Sequence, residues 1–581
     1  MARPTKTLDS LAEVLRYHNA TKHDYGRYAR SLGYLDWANQ PDPFRRYRGS
    51  RLLALPVLKP DEPPVSPRYE AVYEAAGVPV QPVSLNSISR FLEHSLALTA
   101  WKQAGAARWA LRANPSSGNL HPTEGYLYIG SVTGLTDLPG LFHYAAREHA
   151  LEERAEGTGD VFSRLMHAYP RNAFLVGLSS VHWREAWKYG ERAFRYCQHD
   201  VGHAIGAVRL AAAALGWRML LLEGVPDAAI ATILGLDRDA DFEGAEREHP
   251  DCLMALWPAA GALPGQDDAR QIPLSLDPAA VLDHSRLTWH GLANRLSRED
   301  PITWKIIDEA AAATWKTGDD RSVVQIRYSP ARSWTSAASE VTADASRPRP
   351  AHDLSAGEVF RQRRSAVSFD GKTSIPAQHF FEMLRRTIPL AERPVTERAA
   401  PWDAIPWDPA VHLALFVHRV EGLQPGLYML VRDGSGGSAL RQSMHDRFVW
   451  RKAPDSPPSL PLYLLREVDV RQLAIQVSCG QDIAGDSCFS LGMVAEFEGR
   501  LRQHGAWFYR RLFWETGIIG QILYLEAEAA GVRGTGIGCF FDDPVHEVFG
   551  FEGLAFQSLY HFTVGGPVED RRLTTLPPYP P

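Results

Sequence analysis

The chain has 581 residues, enough for two or more domains with cores of their own. Hydrophobic residues make up 45% and charged residues 22%, with a formal net charge of −6, an ordinary globular composition that argues against a nucleic-acid binder working through overall basicity. The most apolar stretch, around Val208 to Val225, is broken by Arg209 and Arg218 and does not read as a membrane span, and the N-terminal residues carry no signal-peptide pattern.

In chain order, Leu8, Leu11, Val14 and Leu15 recur at helical spacing, and a Pro-rich stretch over residues 50–82 reads as an extended wrap. Strands are expected over Gly125 to Gly130 and Ala173 to Ser179, followed by a long helix from residue 195 onward. A further helix is expected from Ile306 to Trp315, then a Ser/Ala/Pro-rich linker from Ser329 to Pro350. Ser355-Ala-Gly-Glu358 has the capping-box pattern, so a helix should begin there and end near Arg364. A second helix should follow Ser374-Ile375-Pro376 with Phe380, Phe381 and Leu384 on one face. The last expected strands are Val411 to Val417 and Leu559 to Val564.

The chain also repeats itself. Residues 195–236 lie over 510–551 without a gap, so that Arg195 falls on Arg510, Asp200 on Glu515, Gly202 on Gly517, Asp227 on Asp542 and Gly235 on Gly550. The copies differ outside this stretch: the first has Arg112 and Pro115-Ser116-Ser117-Gly118-Asn119, the second has Arg363-Arg364-Ser365, Gly536-Ile537-Gly538 and Arg571-Arg572. Complementary polar pieces suggest one site built from both copies. The expected fold is α+β, with small central sheets flanked by helices in two fused copies related as an intramolecular pseudo-dimer. The boundaries read as 1–82 (helical and extended entry), 83–263 (first copy), 264–350 (connector) and 351–581 (second copy).

Guanidinium forks match phosphate oxygens, so Arg363, Arg364, Ser365, Arg571 and Arg572 together could converge on one anion, although each cluster alone reads more simply as a solvated patch. Pro115 to Asn119 is a donor-rich turn; a surface turn is the simpler reading when it stands alone. Gly534-x-Gly536-x-Gly538 lacks the strand-then-helix context of a dinucleotide fingerprint and is expected to be a loop exposing backbone N–H groups. His199 and His203 have a metal-ligand spacing, but ordinary helix contacts are the better reading, and no metal is expected. The five cysteines, Cys197, Cys252, Cys479, Cys488 and Cys539, form no CxxC pair, which favours neither a disulfide framework nor a zinc site and points to a reduced cytoplasmic protein. Lys188-Tyr189 could work as a proton-transfer unit, the ammonium lowering a phenol from its reference value near ~10; an aromatic helix start is an equally good reading.

These residues together resemble the nitroreductase-like flavoproteins, and among them the SagB-type dehydrogenases that include thiazoline and oxazoline oxidases. Arg363-Arg364-Ser365 with Phe369 is similar to the family's opening FMN-phosphate motif, Arg572-Leu573 to the closing phosphate arginine, and Ile537-Gly538 to the segment facing flavin N5. Val367 departs from the pattern, where many members have a basic residue. Pro115 to Asn119 resembles the loop that reaches the flavin from the other subunit of family homodimers, and Trp187-Lys188-Tyr189-Gly190-Glu191-Arg192 resembles the entry whose Lys-Tyr pair is implicated in proton abstraction. The resemblance implies one FMN per chain, catalytic Lys188 and Tyr189, an azoline-bearing peptide or small heterocycle as substrate, molecular oxygen as acceptor and a biosynthetic partner enzyme. The counterpart site should be degenerate: Trp402 to Pro409 replaces the Ser-rich loop, Glu223 stands opposite Gly538, and Gln503-His504 opposite Lys188-Tyr189. Two other readings are open: an NAD(P)H-dependent nitro- or quinone reductase, and a flavin-free scaffold that binds a peptide or partner enzyme.

Overall fold

The computed structural model describes residues 10–74, 77–259, 270–318, 325–328, 354–390, 393–434 and 436–579. The expected linker from Ser329 to Pro350 lies outside them, as does Leu8.

Helix α1 (Ser10–Ala20) opens the described chain. Helix α2 (Leu85–Ser95) starts at Ser84, where the Ser84 and Ser87 hydroxyls each accept the other's backbone N–H, satisfying two donors that a helix start otherwise leaves bare. A hairpin follows, β1 (Leu98–Ala104) and β2 (Ala107–Arg112). Strands β3 (Thr123–Ile129), β4 (Gly140–Ala145), β5 (Ala150–Glu156) and β6 (Phe174–Ser180) lead into helices α3 (His182–Tyr189) and α4 (Ala193–Ala213). Strand β7 (Trp217–Leu221), helix α5 (Asp227–Leu234) and strand β8 (His249–Pro258) complete the first region. Its central sheet runs β5-β4-β3-β6-β8-β7, antiparallel throughout. The connector helix expected from Ile306 is found as Lys305–Ala313.

The second region repeats the plan. Helix α6 (Ala356–Gln362) has the expected capping box, with Ser355 Oγ accepting from Glu358 N–H and Glu358 Oε2 accepting from Ser355 N–H. Helix α7 (Ala377–Arg386) buries Phe380, Phe381 and Leu384. Strands β9 (Val411–Val417), β10 (Gly426–Leu430), β11 (Leu462–Glu467) and β12 (Phe489–Glu496) are followed by helix α8 (Phe508–Ala529), strand β13 (Arg533–Ile537), helix α9 (Asp542–Phe549) and strand β14 (Phe556–Gly565). The sheet order, β11-β10-β9-β12-β14-β13, matches the first strand for strand. Helices α5 and α9 both end on a left-handed glycine, Gly235 at φ 70° and Gly550 at φ 89°. One expectation fails: Gly534 to Ile537 are strand, not loop. The glycines fit there because the neighbouring strand sends large rings toward them; a Cβ on Gly534 would lie 2.7 Å from the Phe562 ring.

Helices α4 and α8 are buried nearly all round, which suits a helix surrounded by protein rather than one lying on a surface. They touch at Gly202 and Gly517. A Cβ on Gly202 would meet the Trp514 carbonyl oxygen at 2.3 Å, and one on Gly517 would meet the His199 carbonyl oxygen at 2.3 Å. His199 and Trp514 are themselves matched positions, so the contact is made twice with roles exchanged. The ion pairs behave alike: Arg195 binds Asp542 at 2.8 Å, and Arg510 binds Asp227. Reciprocal contacts of this kind are what a twofold relation produces.

Both ends of the chain cross over. Residues after α1 bind the second region through Lys22–Asp543 (2.7 Å) and His23 N–H to Asp542 (2.9 Å). At the other end, β15 (Thr574–Leu576) pairs with β1, and the Tyr579 hydroxyl donates to the Ala146 carbonyl.

Candidate active site

The two regions and the C-terminal tail enclose a cavity of about 430 Å³. From the first region come Arg112, Pro115, Ser116, Ser117 and Asn119; from the second, Arg363, Arg364, Ser365, Ile537 and Gly538. Tyr189 also faces it. Most of the residues singled out in the sequence therefore meet in one place, although they are hundreds of positions apart.

The first-region loop is pinned to α4. Ser117 donates its N–H and its hydroxyl to Asp200 Oδ1, each at 3.0 Å. The Asn119 amide donates to the Ala110 carbonyl at 2.9 Å, and Asn119 takes a left-handed φ of 60°, a conformation asparagine tolerates better than most residues. Burial pushes the Asp200 carboxyl up to about 7, partly offset by hydrogen bonds from Ser116 and Ser117.

The second-region pieces are laid side by side by the edge of β13. Ser365 bridges Gly534 in parallel, and Thr535 donates its hydroxyl to the Ala366 carbonyl at 2.7 Å. Tyr524, from α8, ties both together by accepting the Gly536 N–H at 2.8 Å and the Ser365 hydroxyl at 3.0 Å. Arg363 donates to the carbonyls of Arg112 (3.0 Å) and Ala113 (3.3 Å), crossing directly to the first-region loop. Arg364 donates to the carbonyls of Arg361, Arg363 and Thr99. Among the described residues neither arginine has a carboxylate ion pair. Burial, and then the Arg363 charge, lower the Arg364 guanidinium to about 10. Lys102 and Arg533 also line the cavity, as do Glu569 and Asp570; Arg533 pairs with Glu569 at 2.6 Å, so the excess positive charge rests on Arg363, Arg364 and Lys102. Gly538 is required where it is, since a Cβ there would lie 2.1 Å from the Tyr196 ring.

Four buried polar atoms on the cavity wall have no hydrogen-bond partner among the described residues: Arg112 Nε, Asn114 Oδ1, His121 Nδ1 and His203 Nδ1. Such atoms are costly to bury unless something else satisfies them.

Two expectations need revision. Arg571 and Arg572 do not reach the cavity; both are exposed, and Arg572 pairs with Asp570 at 2.8 Å while its neighbours Asp570 and Leu573 line the wall. Charge attraction inside a four-residue turn holds Arg572 outward. The Tyr189 phenol is raised rather than lowered: burial acts first, then Glu185, Tyr196 and Asp200. Lys188 lies over the Tyr189 ring at 5.4 Å and behind the Gly118 backbone, one layer back from the cavity. His199 and His203 both contact Tyr560: His199 stacks on its ring at 4.2 Å and His203 hydrogen-bonds its hydroxyl at 3.2 Å. Val367 is exposed at the cavity rim.

Sequence reasoning missed Glu185. It is fully buried beside Asp200 and Lys188, and neither carboxylate oxygen has a hydrogen-bond partner among the described residues. Burial and then Asp200 push its carboxyl well up. Its position four residues before Tyr189 on α3 was the available signal.

Residues 81–246 match the model of the nitroreductase family. A solved structure of a candidate nitroreductase from Anabaena variabilis superposes with a TM-score of 0.62 at 21% identity, covering 96% of this chain and 99% of that one. The fold is nitroreductase-like. The trifolitoxin-processing protein TfxB of Rhizobium leguminosarum bv. trifolii is 30% identical over 175 residues, which are 28% of this chain and 46% of TfxB. The match thus spans less than half of that relative's length. The nitroreductase-like likeness to the Anabaena protein extends through both regions, including the second, which holds the arginine pair and Gly538. No described helix is long and apolar enough to cross a membrane.

Proposed function

We propose that the chain is an FMN-dependent oxidoreductase whose two nitroreductase-like halves form an internal dimer around one flavin site. The substrate class is an azoline or a related carbon–carbon or carbon–nitrogen bond in a peptide-derived molecule, with molecular oxygen as final acceptor. The observation that carries the reading is the shared cavity: the Ser116-Ser117 loop of one half and Arg364, Ser365 and Gly538 of the other line it together, next to Tyr189. The name of TfxB, a toxin-processing protein, supports a peptide-derived substrate and a partner enzyme that prepares it.

The cavity fits FMN in three respects. Its cationic end suits a phosphate, its volume falls within the roughly 300–1,000 Å³ of small-molecule sites, and its wall carries orphaned polar atoms. Arg364, Ser365 and Arg363 would hold the phosphate, with Lys102 and Arg533 near it. Arg112, Pro115, Ser116, Ser117 and Asn119 would hold the polar edge, and Ile537-Gly538 would lie along the ring. When bound, FMN supplies the two-electron acceptor.

The remaining chemistry belongs to this chain. Tyr189 presents its hydroxyl to the cavity and orients the substrate by donating a hydrogen bond, since its surroundings keep it protonated. Lys188 Nζ, beside that ring and one layer back from the cavity, would act on the proton leaving the substrate carbon through the Tyr189 hydroxyl rather than by touching the substrate. Burial raises both the Glu185 and the Asp200 carboxyls, Asp200 to about 7, so the charge beside Tyr189 depends on pH. Tyr196, Tyr524 and Tyr560 exclude water from the inner end.

The test is to incubate the flavin-loaded chain in air with a thiazoline-bearing peptide and measure its mass. Loss of two hydrogens is expected. An unchanged peptide, together with rapid flavin bleaching by NAD(P)H, would replace the oxidase reading with the reductase.

A further inference from the structure

Cys479 and Cys539 are sixty positions apart, yet their sulfurs lie 2.8 Å from one another, within hydrogen-bond reach. Both are partly exposed, whereas Cys197, Cys252 and Cys488 are buried. Cys539 directly follows Gly538 and lines the cavity. The two backbones that carry the sulfurs are stitched together on either side. The Gln481 amide donates to the carbonyls of Ser478 and Cys539, each at 2.9 Å, and Phe541 N–H donates to the Val477 carbonyl at 2.9 Å. The sulfurs lie within about 1 Å of the ~2.05 Å length of a disulfide bond.

The two thiols are not equivalent. The contact between the two sulfurs, and then the Arg192 charge nearby, lower the Cys539 thiol, while the same contact raises Cys479. Arg192 is held in place by Asp542 at 2.9 Å and donates to the Gly538 carbonyl at 3.3 Å. Cys539 is therefore the better attacking sulfur of the two and Cys479 the resolving one. The matched positions in the first region are Arg164 and Gly224, so the pair occurs only on the side of the cavity.

We propose that Cys479 and Cys539 are a redox-active pair that opens and closes as a disulfide on the cavity wall, exchanging with low-molecular-weight disulfides. Cys539 thiolate attacks one sulfur of the small disulfide, forming a mixed disulfide and expelling one small thiolate. Cys479 then attacks Cys539 Sγ, forming the internal disulfide and expelling the second small thiolate. The two cysteines lose two electrons and two protons, and the small disulfide becomes two thiols. Closure fixes the backbone next to Gly538, and so regulates the cavity. That consequence rests on the flavin reading; the disulfide itself does not.

The experiment uses the full chain, reduced, desalted, exposed to graded oxidised glutathione, acid-quenched and alkylated under denaturing conditions. Non-reducing peptide mapping is expected to find a Cys479–Cys539 crosslink, with two of the five thiols lost and recovered on reduction. Cys479→Ser should trap a glutathione adduct on Cys539, and Cys539→Ser should leave Cys479 at least tenfold less modified. Absence of the crosslink at every ratio, or equal adduct formation in the two variants, overturns the proposal. A crosslink that forms in protein lacking FMN supports the pair even if the oxidase reading has failed.

Discussion

Matched positions in the two halves make opposite contacts, and the proposal of one flavin site per chain rests on that contrast. In the cavity half, Asp200 holds the Ser117 loop, and Gly538 packs against the Tyr196 ring, both residues lining the cavity. In the other half, Glu515 stands where Asp200 stands, accepts the N–H groups of Ala410 and Val411, and pairs with Arg432, which lies over Trp402 at 4.8 Å. Glu223 stands where Gly538 stands, and Arg511 where Tyr196 stands; they form a buried ion pair at 3.0 Å. His504, opposite Tyr189, is stacked on Phe508 at 4.4 Å. In one half these positions line the cavity; in the other they pair with charged side chains of their own half or across from it, although Arg432 Nη2 and Arg511 Nη1 keep no partner among the described residues.

The contrast can be broken from the closed half. Arg511→Ala leaves Glu223 buried without its partner and should cost about 3–5 kcal/mol in stability, read by chemical denaturation, with FMN content unchanged per folded chain. A loss below about 1 kcal/mol would mean that the ion pair is not what closes that half.

In the open half, Lys188→Ala should keep the flavin and slow substrate oxidation by about 10²-fold. Unaltered turnover would remove Lys188 from the mechanism. Arg364→Ala should weaken FMN binding by about 1.5–3 kcal/mol in a fluorescence titration, whereas Arg572→Ala should leave it unchanged. Equal losses would restore Arg572 to the phosphate end.

The smallest effect concerns pH. The folded Asp200 carboxyl, at about 7, holds a proton that the unfolded chain has released from about 4 upward. Its burial therefore costs nothing below about pH 4, costs increasingly as pH rises toward 7, and costs a constant amount above that. Asp200→Asn should remove this slope, of at most ~1.4 kcal/mol per pH unit, so that the variant gains on the parent between pH 5 and 7. Parallel stability profiles would show that Asp200 does not titrate in this range.

Much of this was legible in the sequence because it is local or periodic. Helices α4 and α8 begin at corresponding residues and end within one residue of each other, and the Ser355–Glu358 capping box and the Gly235 and Gly550 helix ends need only a few neighbouring residues to specify them. The meeting of Ser117 with Arg364 was legible because each half had lost what the other kept. Other features depend on three-dimensional closure. Gly534 to Ile537 form a strand by pairing with β14, whose Phe562 and Tyr560 rings take the space that side chains at Gly534 and Gly536 would fill. Arg572 looked like Arg364 in sequence, but Asp570 two residues earlier captures it. Cys479 and Cys539 show no motif spacing, and only the loops joined by Gln481 bring them together.

The central claim is that one site survives out of two, and the flavin released per chain measures it most directly. Protein purified under reducing conditions, saturated with FMN and freed of excess, should release one FMN per chain on denaturation. Two per chain would mean that the Glu223–Arg511 half still binds, and none would mean that the shared cavity serves a different ligand.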